Sequence, residues 1–293
     1  MAEQLSDHLL AFLFALFVGC ASWPAALRLG FLVKPNSLHP TTHLIGGLEV
    51  LSTFGVFLAM TLFVAPFAAL LFILIKHGGL PPTGDLASYF SAHQRSWLDT
   101  LGAFAGYAGV AIGFSWLNRN QQQAIWGLPA ERKNNFYSGV LSWLVCFPIS
   151  LIVGQVIWFG LYVIGYESNL EQEAVQHLKQ VIQFPVLFTA TLAIIVIFAP
   201  IAEEVLFRGL LQSWLAAKWG VTKGILVTSA VFSLFHFSVT QGLANIELIV
   251  SLYVLSCFLG YMYVKQRSLW ASIGLHMTFN VFGVIMILFF DNK

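Results

Sequence analysis

Glu203, Glu204, Arg208, His236, His276 and Asn280 have the side-chain chemistry to run a reaction, and all sit in long apolar runs. A membrane segment carries an ionisable group at a cost of about 2.5–3.5 kcal/mol unless that group is paired or faces a cavity. Helix geometry sorts the first three. At about 100° per residue, Glu204 and Arg208 are roughly 40° apart and one turn distant, with the acid first, the favoured order for an i,i+4 pair. Glu203 points about 100° away from Glu204 and about 140° from Arg208. One carboxylate is thus tied to the arginine and the other is left over. A surplus carboxylate in an apolar segment seeks a proton-bearing partner, which is the profile of a general base. His276 and Asn280 are also spaced i,i+4 on one face, and so are Phe232 and His236, where a ring can brace an imidazole.

Depth supplies an independent check. Basic residues at the run ends serve as rulers, with a continuous rise of 1.5 Å per residue. Glu203 then lies roughly 22 Å from Lys218, His236 roughly 20 Å from Lys223, Asn280 roughly 20 Å and His276 roughly 14 Å from Arg267. Three helices deliver a carboxylate, two imidazoles and an amide to one layer of the membrane interior. A site within the bilayer is the simplest account of this common depth. Asn245 and Glu247 read as a helix start. Glu49 has no evident partner and is expected to face a cavity or Gln155.

The elements that must position these groups are membrane helices. The chain has 293 residues, 58% hydrophobic and only 9% charged. Soluble proteins carry roughly 25% charged residues, so this composition cannot cover a surface facing water. A net charge of +1 argues against nucleic acid as a partner. Cys20, Cys146 and Cys257 have no CxxC spacing and read as buried, inert thiols. The N-terminus lacks the basic stretch of a signal peptide, so the first run is expected to stay as a helix. The expected fold is an all-α, polytopic membrane helix bundle of about eight transmembrane helices, at 9–29, 44–75, 97–117, 140–164, 184–219 (one kinked helix or two), 223–237, 246–264 and 269–290. The polar stretch 118–135 is expected as a loop in water, 78–85 as a turn, and 167–183 as an interfacial helix. Nine loop Lys and Arg fall on one side of these spans and four on the other. The nine, Arg28, Lys34, Arg119, Arg132, Lys133, Lys218, Lys223, Lys265 and Arg267, mark the cytoplasmic side. Both termini then lie outside, and the site is reached from the cytoplasm.

The motifs have a family resemblance. Residues 203–208 read EExxxR, Phe232 to His236 reads FxxxH, and His276 to Asn280 reads HxxxN. In this order they resemble the CPBP family, which includes CAAX prenyl proteases of the Ras-converting-enzyme type and bacterial "Abi" or bacteriocin-processing proteins. The resemblance covers roughly Phe184 to Phe290. It implies one membrane domain over 1–293, with 1–183 as accessory helices and 184–293 as the catalytic core. It implies an intramembrane endopeptidase in which Glu203 is the base working with His236 on a water, and His276 and Asn280 form the oxyanion hole. Glu204, Arg208 and Phe232 support them. The implied partners are membrane lipid and a prenylated or hydrophobic leader peptide, with no cofactor and, in a bacterium, location in the inner (plasma) membrane.

Other readings stay open. Glu203, His236 and His276 could ligate zinc, since zinc hydrolases use three such ligands and a water. The same cavity could serve a non-proteolytic immunity or scaffold protein. A transporter using Glu203 and His236 as a proton relay is a third, but no inverted repeat is visible.

Overall fold

A computed structural model describes residues 2–28, 44–79, 89–166 and 173–290 of the chain. In order the helices are α1 (Ala2–Arg28), α2 (Gly47–His77), α3 (Ala92–Ser115), α4 (Arg119–Trp126), α5 (Arg132–Val163), α6 (Glu173–Val181), α7 (Pro185–Ala193), α8 (Ala199–Glu204), α9 (Ser213–Trp219), α10 (Val221–Leu234), α11 (Ala244–Gln266) and α12 (Leu269–Phe290). No strand occurs among the described residues. Among the described residues, five helical stretches are long and apolar enough to cross a membrane, and His8–Pro24 and Val221–Leu234 are shorter apolar helices. On α2, Leu48, Leu51, Phe63, Phe67 and Ile75 are 67–79% exposed, an apolar surface suited to lipid rather than water. The protein is an integral, multi-pass helical membrane protein.

The helices form two compact units. The second comprises residues 46–119 and 172–206. Its centre is the α2–α3 pair. Gly102, Gly106, Gly109 and Gly113 stripe one face of α3, against Ala65, Thr61, Met60 and Thr53 of α2. A Cβ at Gly109 or Gly113 would press on α2 atoms at 3.1 and 2.7 Å. Small residues let membrane helices approach this closely, where packing rather than hydrophobicity holds them. α3 also packs on α6, α7 and α8, with Phe104 edge-on to Phe198 at 5.5 Å.

The first unit comprises residues 1–45, 120–171 and 207–293. α5 packs on α1, α11 and α12, and α10 on α9 and α11. Val145, Cys146, Leu255, Leu259, Met262, Ala271 and Leu275 form its core. Gly139 of α5 and Gly274 of α12 seat those helices backbone to backbone: a Cβ on either would run into the carbonyl of Ala271 or Phe136.

Several expectations change. The stretch 118–135 is largely helical: it holds α4, a 3-10 turn at Pro129–Glu131 and the start of α5. Gln121 is buried and donates to the Leu44 carbonyl, and the Trp126 carbonyl accepts from Ser268 Oγ at 2.8 Å, so α4 braces the α11–α12 corner. The expected sixth run ends early, at Leu234. Cys20 is exposed rather than buried, on an apolar face that lipid covers. Glu49 accepts from the Gly46 N–H as the cap of α2, and Gln155 is bonded to His8. Most of the expected 78–85 turn lies outside the described residues, as do Lys34, Lys293 and Glu167.

Candidate active site

From Pro185 to Trp219 the chain is helical without a break, but not uniformly α. Pro200 has no N–H for the carbonyl four residues back. A π turn at Ile194–Phe198 precedes it, in which the Ala199 N–H reaches the Ile194 carbonyl. Pro200 then stands in the first turn of α8, where the missing N–H costs nothing. A second π stretch, Val205–Gln212, carries Arg208. Its turns are wider than α-helical ones, so the 100° steps and the 1.5 Å rise used above hold for α8 but not onward to Lys218.

In the second unit, Glu204 is fully buried while Glu203, one residue earlier, is half-buried. The angular split is therefore matched by a split in access. Glu203 lies within electrostatic reach of the Tyr107 phenol on α3. The sequence reading missed Tyr107, although it falls three residues after Phe104, on the face of α3 that meets Phe198. His177 of α6 lies 3.4 Å from the Thr100 hydroxyl. Burial pushes its imidazole below the usual histidine range, and nearby Asp99 partly offsets this.

In the first unit the organising group is Phe232, read from the sequence as a supporting residue. Its ring is 1% exposed. The Arg208 guanidinium stands 4.6 Å over its centroid. His236 and His276 approach at 4.9 and 6.0 Å between centroids, and Phe207 is edge-on at 5.1 Å. One aromatic ring thus gathers a cation and both imidazoles. Arg208 itself is fully buried, and its Nη2 donates to Ser256 Oγ at 2.6 Å and to the Ser256 carbonyl at 3.2 Å. A buried cation needs such acceptors, and Ser256 carried no sequence signal.

His236 differs from expectation in its setting. α10 stops at Leu234, and His236 sits on the turn that follows, its N–H bonded to the Ser233 carbonyl. The i,i+4 relation to Phe232 survives because His236 Nδ1 meets the Phe232 carbonyl at 2.9 Å. A carbonyl only accepts, so Nδ1 carries the hydrogen, and in that tautomer Nε2 is an acceptor. His276 is 4% exposed on α12, two residues after the Gly274 contact. Asn280 follows one turn later and is half-buried. Behind this face, Phe279 and Phe282 pack on Phe147 at 6.3 and 4.6 Å, and Phe282 on Trp143 at 4.8 Å.

Among the described residues no group of three His, Cys, Asp or Glu side chains is gathered to hold a metal ion.

No curated protein and no solved structure matches the chain. Residues 185–282 match a family model described as type II CAAX prenyl endopeptidase Rce1-like. That stretch contains all three motifs and begins one residue after the expected start of the core. The resemblance read from the motifs is borne out there: over 185–282 the chain is similar to the type II CAAX prenyl endopeptidases.

Proposed function

We propose that the protein is a glutamate-type intramembrane endopeptidase acting on a membrane-associated peptide, either a CAAX-type prenylated one or a hydrophobic leader. The observation that carries this reading is the cluster around Phe232. It holds two imidazoles beside one buried ring, one of them with its tautomer fixed by a backbone carbonyl.

In this mechanism a water gives one hydrogen bond to the Glu203 carboxylate and one to His236 Nε2. Its oxygen then attacks the scissile carbonyl while one proton passes to Glu203. The carbonyl oxygen becomes an oxyanion that accepts from the His276 N–H and the Asn280 amide. Collapse of the tetrahedral intermediate breaks the C–N bond, and the proton held by Glu203 goes to the leaving amine. Glu204 and Arg208 hold the helix that presents Glu203. The substrate enters from the cytoplasmic side, of the plasma membrane if the host is bacterial.

The test is cleavage by the reconstituted protein of a farnesylated CAAX peptide and of short hydrophobic leader peptides. Wild type should cut at least one, and Glu203→Gln and His236→Ala should each lose at least about 100-fold in kcat. Variants as active as wild type would refute the mechanism. Inactive wild type with peptide binding intact would favour the scaffold reading. Activity lost to a chelator and restored by zinc would replace the glutamate mechanism with a metal one on Glu203, His236 and His276.

A further inference from the structure

The chain between α10 and α11 is not built like a loop in water. α10 has 14 residues. At 1.5 Å each that is about 21 Å, short of the ~30 Å hydrocarbon layer. The residues that follow are apolar and outward: Phe235 is 46%, Phe237 55%, Val239 87% and Leu243 44% exposed. Irregular backbone in apolar surroundings must find its hydrogen-bond partners within the protein. Beside turn bonds such as Gln241 N–H to the Ser238 carbonyl, one side chain supplies three of them. Asn245 Nδ2 donates to the Ser238 carbonyl at 2.7 Å and to the Gly242 carbonyl at 3.0 Å, and its Oδ1 accepts from the Ser238 N–H at 2.9 Å. Asn245 is itself 3% exposed. Both amide hydrogens and the amide oxygen are thereby used on seven residues of chain. The Tyr166 hydroxyl adds a longer tie to the Gln241 carbonyl, at 3.5 Å.

His236 lies two residues before the clamped Ser238. On its other side its ring is tied to the Phe232 carbonyl. The backbone is thus pinned on both sides of the imidazole, by the end of α10 and by the start of α11. We infer that Asn245 is a positioning residue for His236: it closes the 238–242 loop so that Nε2 keeps one direction. This rests on the reading of His236 as a catalytic group. An imidazole must be held within about 0.5 Å and 10–20° of its working geometry, and a misplacement of 1 Å costs about 100-fold.

The experiment uses the full chain in liposomes with the farnesylated CAAX and hydrophobic leader peptides, and kinetics are taken on whichever wild type cleaves. Asn245→Ala should lower kcat by about 30- to 100-fold with KM within about twofold of wild type, per mole of folded protein. Backbone amides of 237–243 should lose hydrogen-exchange protection in that variant while α12 keeps its own. Asn245→Asp covers the case in which the alanine variant folds poorly. Its carboxyl keeps the acceptor for Ser238 N–H and, when protonated, donates to one carbonyl. Its activity relative to wild type should therefore rise as pH falls, which a simple loss of folded protein would not produce. Wild-type kcat in both variants, with His236→Ala inactive, overturns this inference alone. A fall in KM affinity with kcat unchanged also overturns it, since that would place Asn245 in substrate binding. If wild type cleaves nothing, or His236→Ala cleaves normally, the functional reading fails and this inference with it.

Discussion

Phe232→Leu keeps most of the apolar volume at the centre of the cluster and removes the ring face. The Arg208 guanidinium is fully buried and 4.6 Å above that face. A desolvated cation–π contact of this kind is worth about 2 kcal/mol. The edges presented to His236 and His276 add about 0.5–1.5 kcal/mol each beyond area burial. The leucine variant should therefore lose about 3–5 kcal/mol in all, and Phe232→Ala should lose more, because it also opens a cavity. The useful quantity is the coupling with Arg208. In a cycle of Phe232→Leu, Arg208→Met and the double variant, unfolding in detergent should give an interaction of about 2 kcal/mol. Cleavage should fall further than stability, because the same ring orients both histidines. A coupling near zero, or a leucine variant with wild-type kcat, would show that the ring is only filler and that the gathering of charged groups around it does not matter.

Three further expectations follow from the packing. Gly274→Ala should destabilise by about 1–3 kcal/mol and lower activity, because its methyl meets the Phe136 carbonyl two residues before His276, whereas Gly283→Ala, with nothing within 4 Å, should be neutral. Equal effects of the two on melting temperature would contradict the helix contact. Tyr107→Phe should leave the folded yield unchanged and lower kcat; a variant with wild-type kcat would remove Tyr107 from the site. The depressed titration of His177 means that the unfolded chain binds the proton more readily. Stability should therefore be complete above about pH 7 and fall as pH drops through the ordinary histidine range, and His177→Gln should flatten that slope in a melting series between pH 5.5 and 7.5.

The motifs were legible in the sequence because ionisable groups in apolar runs are costly and so stand out. Spacing alone separated Glu203 from Glu204. Other features left no such trace. Ser256 is an ordinary residue in an apolar helix, and only the fold brings it to Arg208. The end of α10 was hidden because Phe235 and Phe237 extend the apolar run past the last helical turn. The polar stretch 118–135 looked like a loop because its helix is held by a few tertiary bonds rather than by an apolar face. The glycine stripe of α3 was visible as Gly102-xxx-Gly106 and Gly109-xxx-Gly113, and went unread.

The backbone seat between α5 and α12 also sets an order of events during synthesis. Gly139 must wait for Ala271, and Phe136 for Gly274. At about 5–20 residues per second, that side of α5 stays uncovered for on the order of ten seconds. α12, which is made after α5, carries His276 and Asn280. A nascent or truncated chain therefore has its carboxylates and His236 but none of the proposed oxyanion donors. Any reaction that needs those donors would begin only when α12 docks on α5.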